Sequence, residues 1–129
     1  MRPPGMGGIV TDVDTFFKPD PEPKSKQSAR VRAFNAEFQW MKRNVIHPRS
    51  GGRCEVRIPG ICTGTAESTH HRKPRKQGGL NTEWNLVDVC GDGVRGCHGY
   101  IERNRERAYA NGWLVHSWDD PHLVRMVTF

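Results

Sequence analysis

At 129 residues, with 35% hydrophobic residues and no apolar run of membrane-spanning length, the chain is one domain with tails; a large apolar core and a membrane-spanning protein are both excluded. Lys and Arg number 20 against 14 Asp and Glu, and the net charge of +6 is gathered in the middle: residues 24–76 carry +10, whereas 1–23 and 77–129 carry −2 each. That distribution favours a polyanion such as nucleic acid over an anionic membrane, since no long basic face has an apolar underside.

Residues 1–23 hold five prolines and three glycines and read as a flexible tail. The opening MRPPGMGGIV has no apolar h-region, so the chain is expected in the cytoplasm, where cysteines bind metal more often than they form disulfides. Residues 24–48 are expected to form a basic helix: Val31, Phe34, Phe38, Met41 and Val45 step by three and four, and Pro48 marks a stop. The plain reading of this helix is packing against the core with a solvated basic face.

Residues 49–112 are the expected core unit. A Gly-, Pro- and Thr-rich loop carries Cys54 and Cys62, and a strand over Glu67–Pro74 carries His70 and His71. Lys73–Thr82 is a loop, Leu86–Cys90 a short strand, and GDGVRG a turn between Cys90 and Cys97. Gly99–Asn111 reads as a helix capped by Gly112. Residues 113–129 are expected to close the chain as a β-hairpin, with strands Trp113–Trp118 and Leu123–Phe129 around Asp119, Asp120 and Pro121.

The cysteine gaps are seven and six residues, longer than a common zinc knuckle, but each loop contains glycine, so a chain reversal is cheap. Four thiolates would complete one tetrahedral zinc site. Two disulfides, four buried thiols, or His98 replacing a cysteine are the alternatives. In a strand, His70 and His71 point to opposite sides, so one can hold a metal and the other act elsewhere; as an ordinary pair they would be surface histidines in a basic loop. Imidazoles with a divalent ion suit phosphodiester hydrolysis. Arg72, Lys73, Arg75 and Lys76 could clamp backbone phosphates, or form an ordinary solvated charge run.

THHRKP followed by GG, then NLVDVC, then CH, resembles the HNH endonucleases, particularly small ones encoded by phages of actinobacteria. The resemblance covers residues 54–98 and implies an α+β fold with a ββα-metal core, here stapled by the four cysteines. It implies that His70 and His98 hold a catalytic divalent ion, Mg²⁺ or Mn²⁺, and that His71 is the general base. His70 stands where the commoner form of the family has Asp. Asn85 takes the central Asn place, bracing the loop between the strands and so orienting the base; Cys54, Cys62, Cys90 and Cys97 match the structural zinc ligands. Glu102, four residues after His98, is a candidate further ligand or a solvent-facing glutamate. Trp84 and Tyr100 read as packing residues rather than base-stacking ones.

The implied function is a metal-dependent DNA endonuclease or nickase with little sequence preference. Its implied setting is phage genome processing beside terminase and portal components, in the host cytoplasm, or free-standing homing. A catalytically silent, zinc-stabilised DNA-binding module is the alternative from another class. Oligomeric state is left open.

Overall fold

The computed structural model describes residues 25–129, with side chains from Ala29 onward. The tail expected over residues 1–23 lies outside the described residues. The chain forms two units, residues 1–34 and 35–129. Of the first, the described part is the opening of helix α1 (Ser25–Met41); everything that follows concerns the second.

Within the second unit the expected stripe continues through Phe38 and Met41 of helix α1 and Val45 beyond it, all half-buried, and ends beside the fully buried Ile46. The helical path does not stop at Pro48. A proline inside an α-helix removes one N–H and presses its ring on the carbonyl four residues back, here that of Asn44. The chain accommodates this with one wide π-turn, Lys42–Ile46, in which the His47 N–H reaches the Lys42 carbonyl. A short helix α2 (His47–Ser50) follows and ends at Gly51, whose φ of 66° only glycine adopts cheaply.

Strands β1 (Ser68–His71) and β2 (Leu86–Val89) pair antiparallel, with Ser68 opposite Val89 and His71 opposite Leu86. Alternation gives the hairpin two faces. His70 lies beside Val87 on the core side, while Thr69 and Asp88 meet His47 and Ser50 on the other. The long loop between the strands folds back on itself so closely that a Cβ at Gly79 would lie 1.7 Å from the Lys73 carbonyl oxygen, while Gly78 before it turns with a φ of 90°, and together these explain the Gly-Gly pair.

Beyond β2, helix α3 (Gly96–Arg103) starts three residues before the expected position and is broken from α4 (Arg105–Ala110) at Asn104, whose extended φ of −125° cannot continue a helix. The core is small and partly sulfur: Cys54, Cys90 and Cys97 pack with Val56, Ile58, Val89, Ile101 and Trp113.

The expected C-terminal hairpin over residues 113–129 does not form; among the described residues there are two strands, β1 and β2. The backbone groups of this segment bond to separate partners instead. The N–H of Val115 reaches the Arg72 carbonyl, that of Val127 reaches Asn111, and that of Phe129 reaches Val56. The Arg72 guanidinium donates to the carbonyls of Pro121 and Val124 in the segment and of Gly112 just before it. A buried fork of charged donors thus does the work assigned to a partner strand. No helix among the described residues is long and apolar enough to cross a membrane.

Candidate metal centre and catalytic histidine

Cys54 and Cys62 lie on the loop between α2 and β1, pinched by the isolated bridge between Arg53 and Thr65; Cys90 follows β2 and Cys97 sits in the first turn of α3. All four thiols are free, and their sulfurs lie within 4.8 Å of one another. The Cys62 and Cys90 sulfurs are 3.8 Å apart, which excludes a bond between them. A tetrahedron with zinc–sulfur bonds of about 2.3 Å has edges of about 3.8 Å, so the cluster fits zinc.

Backbone N–H groups aim at the sulfurs: Ile58 at Cys97 (3.4 Å), Gly64 at Cys62 (3.2 Å), and both Thr63 (3.4 Å) and Cys97 (3.2 Å) at Cys90. Burial pushes the Cys90 thiol up, but the N–H groups of Cys97 and Thr63 outweigh it and hold it down at about 6. Burial pushes Cys62 and Cys97 up. Four sulfurs this close can all be thiolates only around a cation, and their donor set is that of a closed structural site.

The second cluster joins β1 to α3. His70, His98 and Glu102 bring one nitrogen or oxygen each within 4.8 Å. Hydrogen bonds fix which nitrogen. His70 Nε2 lies 2.8 Å from the Trp113 carbonyl, which can only accept, so Nε2 carries the proton and Nδ1 the lone pair. His98 Nδ1 lies 2.8 Å from Ser68 Oγ, and that hydroxyl already donates its one proton to the Gly91 carbonyl at 2.8 Å. His98 Nδ1 must therefore donate, leaving the lone pair on Nε2.

Burial holds His70 down at about 3, opposed by the Trp113 bond, and also lowers His98 against the pull of Glu102 and Asp92. Both rings are neutral at pH 7, as metal ligands must be. Glu102, one turn beyond His98 on α3, joins them and lies 3.4 Å from Arg105.

His71 points the other way, its ring 4.8 Å from that of Phe38 on α1. Its Nε2 lies 2.9 Å from Asn81 Oδ1, and Asn81 Nδ2 donates to Glu37 at 3.0 Å. A carboxylate accepts only, so the Asn81 amide must turn its NH₂ to Glu37 and its oxygen to His71. The proton of His71 therefore sits on Nε2, and Nδ1 carries the basic lone pair. Burial lowers this imidazole below its ordinary range, the Asn81 bond opposing and the Arg75 charge adding to the effect.

Asn85, fully buried, does not touch His71 in any of its side-chain bonds. It accepts from the Lys73 N–H and donates to the carbonyls of Lys73 and Leu80, which clamps the loop after His71. Asn81, Glu37, Ser68 and the Trp113 carbonyl were not singled out in the sequence. Their roles depend on the approach of distant segments, and no spacing signals that.

The four basic residues after His71 divide. Arg72 is 4% exposed and its guanidinium bonds to four carbonyls, those of Trp84, Gly112, Pro121 and Val124, so it braces the C-terminal segment and offers nothing to a phosphate. Burial lowers it to about 10, which leaves it charged at neutral pH. Lys73 donates to the Asp119 carbonyl at 2.8 Å. Arg75 and Lys76 are exposed on a single 3₁₀ turn, Arg75–Gln77. Tyr100 is half-buried against the core, as expected of packing, whereas Trp84 is 43% exposed. Comparison of the chain with family models, with curated proteins and with solved structures gave no match.

Proposed function

We propose that the chain is a metal-dependent nuclease that hydrolyses phosphodiester bonds in DNA, with His71 as general base and His70, His98 and Glu102 holding the divalent ion. The observation that carries this reading is the control of three tautomers. Each histidine has one ring nitrogen hydrogen-bonded to a fixed partner, which leaves the other for a proton or an ion, and the two rings of the cluster bring a nitrogen each within 4.8 Å of a carboxylate. Histidines that merely pack have no need of such agreement. Two imidazoles and one carboxylate favour Mn²⁺ over the harder, oxygen-preferring Mg²⁺.

An ion held there supplies charge neutralisation for the phosphate and the departing oxygen. His71 Nδ1 accepts the proton of the attacking water, and Asn81, itself held by Glu37, keeps the ring in the tautomer that can do so. Asn85 fixes the loop that presents Arg75 and Lys76, which we assign to the DNA backbone.

A silent DNA-binding module is the second reading, favoured by the packing of Phe38 on the base. Nicking of supercoiled plasmid with Mn²⁺ or Mg²⁺ separates the two. The nuclease reading expects His71→Ala to lower the rate about 10²- to 10⁴-fold; identical behaviour of variant and wild type sinks it.

A further inference from the structure

On the far side of the loop that follows His71 lies a cleft of about 480 Å³ that the chemistry above does not use. Its walls are aromatic. Trp84 is stacked on His122, with centroids 3.9 Å apart and planes 21° from parallel. Trp118, 77% exposed, is the outer ring of a three-ring column: it stacks on His116 at 4.4 Å, and His116 stacks on Tyr109 at 3.9 Å. Each tryptophan is stacked on a histidine, so a flat guest would meet rings that have little freedom left to lose.

The charge around the cleft says what the guest is not. Asp119 and Asp120 stand on the rim, and the one lysine of the lining, Lys73, already donates to the Asp119 main-chain oxygen. A phosphate would be repelled there. A nucleobase would not be, because its π-face stacks on tryptophan whatever the sequence, and its ring N–H or amino groups can donate to carboxylates.

The cleft shares the loop after His71 with the candidate site. Asn85 lines it while bonding to Lys73, two residues from His71, and to Leu80, which lines it as well. We propose that this cleft is a stacking subsite for an unpaired nucleobase, so that the substrate is DNA with a single-stranded or distorted stretch beside the target phosphate. In intact duplex a base must first be unstacked to enter, which weakens binding. The proposal rests on the nuclease reading for the word substrate, but its test reads binding alone.

The test uses the full-length, zinc-loaded His71→Ala chain, which removes cutting, and a fluorescein-labelled oligodeoxythymidine of about twelve nucleotides beside a duplex of equal length. Anisotropy gives affinity and tryptophan emission reports the cleft. The expected result is quenching by the single strand and tighter binding of it than of duplex. Adding Trp118→Ala should weaken single-strand binding about five- to 100-fold, with Trp118→Phe recovering most of it and duplex affinity unchanged.

Equal affinity for the two DNAs, or single-strand affinity unmoved by Trp118→Ala, overturns the proposal. So does saturation without quenching, a measurement on the parent chain that stands even if the variant misfolds. A chain that binds through Trp118 yet nicks nothing keeps the subsite and loses the nuclease reading. One that nicks through His71 with binding indifferent to Trp118 loses the subsite alone.

Discussion

Two clusters of metal-type donors meet at the start of helix α3, where Cys97 and His98 are adjacent, and they are built on opposite plans. In the cysteine cluster three of four ligands are wholly buried and every position of a tetrahedron is filled from the chain. In the histidine cluster burial falls from His70 through His98 to the exposed Glu102, and three donors leave positions for water or substrate. Cys97 and His98 are adjacent on α3 yet belong to different centres, because one residue turns a helix by about 100°. The first cluster can only hold the fold. The second has room to do chemistry.

The sharpest way to break that contrast is to damage each side and ask what is lost. Cys90→Ser should cost the fold itself: structural zinc supplies roughly 10 kcal/mol or more of apparent folding free energy, and the core around these sulfurs is small. Circular dichroism should show the variant unfolded, and parent protein dialysed against a strong chelator should follow it. A native spectrum with zinc removed would put the cysteines outside the scaffold. His98→Ala, by contrast, should lower metal content from two ions per chain to one and leave the fold standing.

Acid separates the clusters less sharply but in a known direction. His70 falls from its ordinary 6.5 to about 3 in the folded chain, chiefly through burial. Between those values the unfolded chain binds a proton that the folded chain refuses, so stability rises with pH there. The contribution is complete above about pH 6.5 and is lost as pH falls toward 3. A bound ion, which also demands a neutral ring, has the same sign. Because acid also protonates the cysteines, the comparison needs His70→Gln, whose amide can still donate to the Trp113 carbonyl. Unfolding free energies from urea titrations between pH 7 and 4 should fall more steeply for the parent than for this variant, by at most about 1.4 kcal/mol per pH unit. Parallel curves would mean that His70 accepts a proton in the folded state.

What the sequence made legible follows the same division. The cysteine pairs and the His98–Glu102 step are local spacings, and local spacings survive folding; so do the strands that carry His70 and His71. Arg72 shows the limit. It sits in a run of cations, and nothing in that run distinguishes a guanidinium bound for solvent from one that bonds to four carbonyls far along the chain. The same blind spot produced the expected hairpin over residues 113–129: its N–H groups find carbonyl acceptors in segments that precede it, and its carbonyls accept from the side chains of Arg72 and Trp113. Asn81 and Glu37 were hidden because 44 residues separate them.

The smallest expected effects test whether those hidden partners do what the geometry assigns. Asn81→Ala and Ser68→Ala each remove one acceptor from one ring, Asn81 from His71 and Ser68 from His98. If both were simply packing residues, both would lower stability slightly and activity in proportion. The tautomer argument separates them. Asn81→Ala should reduce the nicking rate about ten- to 100-fold with metal affinity unchanged, since it frees the base to protonate on the wrong nitrogen. Ser68→Ala should weaken metal binding by a similar factor, seen by calorimetry with Mn²⁺, and its nicking should return when Mn²⁺ is raised. Glu37→Gln sharpens the point. Its amide can donate as well as accept, so the Asn81 side chain is no longer forced to turn its oxygen to His71, and the variant should lose part of what Asn81→Ala loses. If metal rescues Asn81→Ala as readily as Ser68→Ala, the two faces of the hairpin are not divided between base and ion.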